Sequence, residues 1–166
     1  TTSSAPYCSG IQTTGCFRKV EVPFALPTQL APDPEGTSLW ISGGLANAVA
    51  RYNIAGNSFQ TFPLPPAHIP SFITSFPWEI RVFGNFVYVL EFSDGDLVRL
   101  NRQTAASTGQ CTTQGSSPCM VELPIPLRAP LFTSLWMDIE ASTNRLWFQT
   151  STPLNDQFAP AAAVVG

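Results

Sequence analysis

The apolar triplet Leu39-Trp40-Ile41 returns twice along the chain, as Val87-Tyr88-Val89 and as Leu146-Trp147-Phe148. Twelve residues after Trp40 comes Tyr52, in Ala50-Arg51-Tyr52-Asn53, and twelve after Tyr88 comes Leu100, in Val98-Arg99-Leu100-Asn101. A repeat with a fixed offset constrains the fold more than any single motif, because each copy must form the same supersecondary unit. The chain has 166 residues, of which 11% are charged and 11% aromatic, with 16 prolines. So little Lys and Glu beside so much Phe, Pro and Trp excludes a helical bundle or coiled coil and points to an all-β chain with many turns.

Each unit reads as four strands, a to d. Residues 27–65 hold the first: strand a at Pro27-Thr28-Gln29-Leu30-Ala31, a turn at Asp33-Pro34-Glu35-Gly36, strand b at Leu39-Trp40-Ile41, strand c at Ala48 to Tyr52, and strand d from Ser58 to a proline stop at Pro63. The second unit, 66–126, has a at Trp78 to Val82, b at Phe86 to Leu90, an Asp94-Gly95 hairpin signal into c at Asp96 to Leu100, and d ending at Pro124-Ile125-Pro126. Its c–d connection swells from Arg102 to Cys119. The third, 127–166, has a at Leu135 to Glu140, b at Leu146 to Phe148, then a loop and a closing strand c at Ala161 to Val165. Ahead of them all, residues 1–24 lead into a lone strand d, Phe17 to Val22.

Four antiparallel strands per unit, an aromatic in strand b and a period of about 40 residues describe β-propeller blades. A β-sandwich shares the short strands but not the ordered repeat. Three blades' worth of strands do not close a ring, which usually needs four to eight. The expectation is therefore part of a six- or seven-bladed propeller. Its remaining blades come from a longer or cleaved chain, or from a second copy whose leading strand d completes the last blade.

The passage from Pro27 to Pro65 resembles the repeat of the virginiamycin B lyase-like (streptogramin lyase) propellers. Its matching residues are Asp33-Pro34-Glu35-Gly36, Leu39-Trp40-Ile41, Asn47-Ala48-Val49-Ala50-Arg51 and Phe62-Pro63-Leu64-Pro65. That resemblance implies a propeller fold and metal-assisted opening of a cyclic ester by elimination, with histidines, a glutamate and a magnesium ion. This chain has one histidine, His68, outside any motif of that family.

Propeller ligands bind where strand a begins and the d–a and b–c loops meet. A polar residue precedes the apolar residue of each strand a: Gln29, Glu79 and Asp138. Three such oxygens converging on the axis would suit Ca²⁺ or Mg²⁺, or would simply face a water-filled channel. His68 in the d–a connector is a candidate general base, and Glu91 in the second unit's b–c loop is a second catalytic candidate. Trp78, Trp136, Arg128 and Asp94 are candidates for gripping a small molecule or glycan. For each of these, a packed or solvated side chain without function is the competing expectation. No Gly-x-Ser-x-Gly elbow, phosphate loop or His-Glu-x-x-His occurs. A non-catalytic propeller that binds a glycan, small molecule or protein is the alternative to a lyase or lactonase.

Net charge is -3 and Lys19 is the only lysine, which argues against nucleic acid and anionic membranes as partners. The four cysteines form two pairs of equal spacing, Cys8 with Cys16 and Cys111 with Cys119, each in a polar loop. Two loop staples explain this better than zinc, which prefers closer spacing and more histidine. They imply a secreted, oxidising setting, and the start Thr1-Thr2-Ser3-Ser4 is expected to be a mature, processed one.

Overall fold

A computed structural model describes residues 19–68, 74–93, 95–114, 118–125, 134–143, 145–152 and 155–164. The chain folds as three successive antiparallel sheets. Strands β1 (Pro27–Pro32), β2 (Ser38–Gly43), β3 (Ala48–Asn53) and β4 (Ser58–Pro63) form blade 1 in order. Strands β5 (Pro77–Phe83), β6 (Phe86–Glu91), β7 (Asp96–Asn101) and β8 (Met120–Pro124) form blade 2 likewise. Strands β9 (Ser134–Glu140), β10 (Arg145–Thr152) and β11 (Asn155–Val164) make a three-stranded blade 3. The first strands β1, β5 and β9 pack beside one another, so they are the inner strands. The ring is not closed.

Alternation explains the packing. Paired strands put every second side chain on one face. Trp40, Val49 and Phe62 of blade 1 meet Ile80, Val87, Val89, Val98 and Leu100 of blade 2, all nearly or fully buried. The other face of blade 2 offers Tyr88, Leu90 and Leu97 to Met137 and Leu146 of blade 3. Trp40 stacks on Phe62 with ring centroids 5.8 Å apart. Trp147, which stands at the position of Trp40 and Tyr88, is 38% exposed, and no further blade covers it among the described residues.

The turns follow local chemistry. Asp33 closes the first by accepting from Thr37 N (2.8 Å), Thr37 Oγ1 (3.0 Å) and Ser38 N (3.1 Å). Burial alone would raise its carboxyl, but those hydrogen bonds together hold it below the usual range. Leu26 and Phe76, each one residue ahead of a strand a, share a left-handed backbone, and their carbonyls accept from Gly44 N and Phe92 N.

Two expectations change. The swollen c–d connection contains a short helix, α1 (Arg102–Thr108), capped by Asn101, whose side chain accepts from Gln103 N and Thr104 N. Blade 3's expected loop is mostly strand, since β11 begins at Asn155 and pairs with β10 from Ala159 to Val164 and again at Asn155, with a register shift between; Pro160 is tolerated there because β11 ends its sheet. Of the expected leading strand d, Lys19 to Val22 are not in a sheet, and its other residues lie outside the described ones. The Cys111–Cys119 disulfide is formed. Cys8 and Cys16 lie outside the described residues. No helix among the described residues is long and apolar enough to cross a membrane.

Candidate functional site

His68, Asp96 and Glu122 come together although they are far apart in sequence. His68 Nδ1 lies 3.3 Å from Asp96 Oδ2 and 3.4 Å from Glu122 Oε1. The pairing of β7 with β8 explains the meeting of the two acids. Asp96 stands opposite Pro124 and Val98 opposite Glu122, so the acids are diagonal neighbours on the face turned to blade 1. The Pro-rich connector after β4 then lays His68 against them. Asp96 is fully buried, Glu122 is 20% exposed and His68 is 51% exposed.

A cleft of about 400 Å³ opens on this group, lined by Pro65, Pro66, His68, Thr113, Met120 and Glu122. A second of about 420 Å³ adjoins it, sharing Pro65, Pro66, Thr113 and Met120 and walled by Phe62, Leu64 and Cys111. Both run between the outer strands of blades 1 and 2, on the rim and not beside the inner strands. Chemically, the group can hold an imidazole through Nδ1–H and leave Nε2 as a base, or it can offer one nitrogen and two oxygens to a cation.

The residues expected on the axis have other engagements. Gln29 and Glu79 do occupy equivalent places, each facing the next blade. Arg81 lies between them, its Nη1 donating to Gln29 Oε1 (3.2 Å) and its Nη2 2.5 Å from Glu79 Oε1. Met137 N also donates to Glu79 Oε2. Burial raises the Glu79 carboxyl, while Arg81 and Met137 N pull it back. The third place belongs to Trp136 and not to Asp138. Met137 pairs with Phe148 as Ile80 pairs with Val89, which leaves Asp138 opposite Trp147. Asp138 is exposed and accepts from Ile139 N.

Glu91 ends β6 fully buried, opposite Pro77. Trp78 is half-buried in an aromatic group, with ring centroids 6.1 Å from Phe76 and 5.9 Å from Phe92. Trp136 is 54% exposed on blade 3, and the structure does not bring it to Trp78. Asp94 and Arg128 lie outside the described residues. Sequence reasoning missed Asp96 and Glu122. Aligning the blades would have flagged both, since they replace Ala48 and Thr61.

No family model matches this chain, and no curated protein does. Solved structures similar to it include the following two. Hydrazine synthase of Kuenenia stuttgartiensis aligns over 92% of this chain and 36% of its own, at 15% identity and a TM-score of 0.57. A luciferin-regenerating enzyme aligns over 82% of this chain and 40% of its own, at 11% identity and a TM-score of 0.52. Both are propeller-type folds, and this chain is a β-propeller segment spanning well under half the length of either. At such identity the likeness concerns the fold.

Proposed function

We propose that this chain is part of a secreted propeller enzyme of the lyase or lactonase kind, acting on a cyclic ester or related small molecule in the cleft beside His68. The observation that carries the proposal is the gathering of His68 with Asp96 and Glu122 at that cleft. The blade resemblance to the streptogramin lyases supports it, and the Cys111–Cys119 staple supports an oxidising setting. Remaining blades of a longer or cleaved chain, or a second copy, would complete the ring. In the elimination, the carbon next to the ester's alkoxy carbon gives its proton to the His68 imidazole, the electron pair of that C–H bond forms a C=C bond to the alkoxy carbon, and the alkyl C–O bond breaks to release a carboxylate. A panel of lactones and cyclic depsipeptides followed by mass spectrometry tests this. Elimination leaves the mass unchanged and hydrolysis adds one water. His68→Ala should abolish either product; no turnover of any ester, or turnover untouched by His68→Ala, overturns the proposal.

The adjoining clefts favour one second reading. Together they form a continuous rim groove lined by Pro65, Pro66, Gln110, Thr112 and Thr113, suited to an extended glycan or peptide held without chemistry. Binding of such a polymer that survives His68→Ala would favour it.

A further inference from the structure

We infer that His68, Asp96 and Glu122 are the protein ligands of a divalent transition-metal cation of the zinc class, bound on the rim between blades 1 and 2. The inference deepens the proposed activity and takes its site from that reading. The three donor atoms all lie within 4.8 Å of one another. Donors about 2.1 Å from a Zn²⁺ ion are separated by ~3.0 Å at right angles and ~3.4 Å at tetrahedral angles. The two separations from His68 Nδ1, 3.3 and 3.4 Å, fall in that span. Mixed imidazole and carboxylate donors favour zinc and its neighbours over Ca²⁺ or Mg²⁺, which prefer oxygen alone.

A second observation is independent of the donor distances. The cleft of about 400 Å³ meets the cluster at His68 and Glu122, which gives an entry path and, among the described residues, a side of the cluster turned to the cleft. Three protein ligands with one open position is the arrangement of catalytic zinc, as opposed to a closed structural site. Asp96 and Glu122 are rooted in paired strands, so two of the three donors are held by the sheet. His68 comes from the connector and would lock in place on binding.

The test uses the full chain, stripped with chelator and titrated with Zn²⁺ by calorimetry, with Mg²⁺ and Ca²⁺ run beside it. One Zn²⁺ per chain is expected. His68→Ala and Glu122→Thr, the latter placing blade 1's residue there, should each weaken binding by roughly a hundredfold or more, since even a ligand's supporting partner is worth tenfold or more. Glu140→Gln, on blade 3, should leave it unchanged. Circular dichroism confirms that each variant folds. In ¹⁵N-labelled protein the Nδ1 resonance of His68 should lose its proton character and shift on adding Zn²⁺. No Zn²⁺ bound, or affinity in both ligand variants unchanged from that of the unsubstituted chain, overturns the inference. In that case ester opening that still needs His68 leaves the proposed activity intact, with the imidazole as a carboxylate-held base. Zn²⁺ bound as expected without any ester opened supports the ion site and sinks the activity.

Discussion

Blades 1 and 2 share one backbone pattern and differ in what they carry at one corner. Gly43 and Glu91 end their second strands opposite Pro27 and Pro77. Ala48 and Asp96 begin their third strands opposite Pro63 and Pro124. Thr61 and Glu122 sit opposite Ala50 and Val98. Three small or neutral residues in one blade thus become three acids in the next, with no change of register. The sheet supplies position, and the side chain at each position supplies chemistry. In blade 1 the corner is also closed from outside, for a Cβ on Gly43 would lie 2.6 Å from the Phe24 ring.

The largest effect should come from the frame the two blades share. Trp40→Ala, in the fully packed contact between them, is expected to cost about 3–5 kcal/mol in urea unfolding. Trp147→Ala, at the same place on the uncovered blade, should cost under about 1 kcal/mol. Equal costs would break the claim that blade-to-blade burial, and not the blade itself, gives these aromatics their weight. Next, Ala48→Asp puts blade 2's acid into blade 1 without its histidine. Burying that carboxylate should destabilise by about 2–4 kcal/mol and create no Zn²⁺ affinity by calorimetry. A stable variant would mean that blade 1 already has the polar surroundings of blade 2.

A smaller effect sharpens the comparison at the opposite end of the blades. Blade 1 turns on Asp33, and blade 2 on Gly84 with its left-handed backbone. Asp33→Ala should cost about 1–2 kcal/mol at neutral pH. Because the folded carboxyl is held below its unfolded value, its contribution is present above the unfolded pKa and lost as pH falls through the folded one. Acid unfolding of the variant should therefore begin from a lower plateau and show a shallower slope. The smallest effect concerns Glu79→Gln, which makes blade 2 match Gln29 of blade 1. Burial raises the folded Glu79 carboxyl, so the folded state binds more protons than the unfolded and stability falls as pH rises from the unfolded value to the folded one. The variant should lose that decline while changing neutral-pH stability by under about 1 kcal/mol. A decline that persists would assign it to another group.

The strands were legible because period-2 alternation and proline stops mark them directly, and the matched offset from Trp40 to Tyr52 and from Tyr88 to Leu100 reflects real equivalence. Leu39 pairs with Tyr52 and Val87 with Leu100. The register of blade 3 was not legible. Met137 and Ile139 are both apolar and two apart, so alternation fits either, and only their pairing with β10 places Trp136 where Asp138 was expected. His68 stood out as the only histidine. Blade alignment sets Asp96 and Glu122 against Ala48 and Thr61 and so marks them as different, but their meeting with His68 was not legible, because the two strands that carry them are separated by the long insertion and pattern along the chain carries no record of contact across it.

That insertion is tied at its root. Asn101 N donates to Cys119 O at 2.7 Å, Met120 N donates to Thr112 O at 3.1 Å, and the disulfide joins Cys111 to Cys119. Chain length between those anchors is thereby uncoupled from the alignment of β7 with β8. Segments of other lengths could be spliced in at this point, redrawing one bank of the rim groove while the propeller behind it keeps its shape.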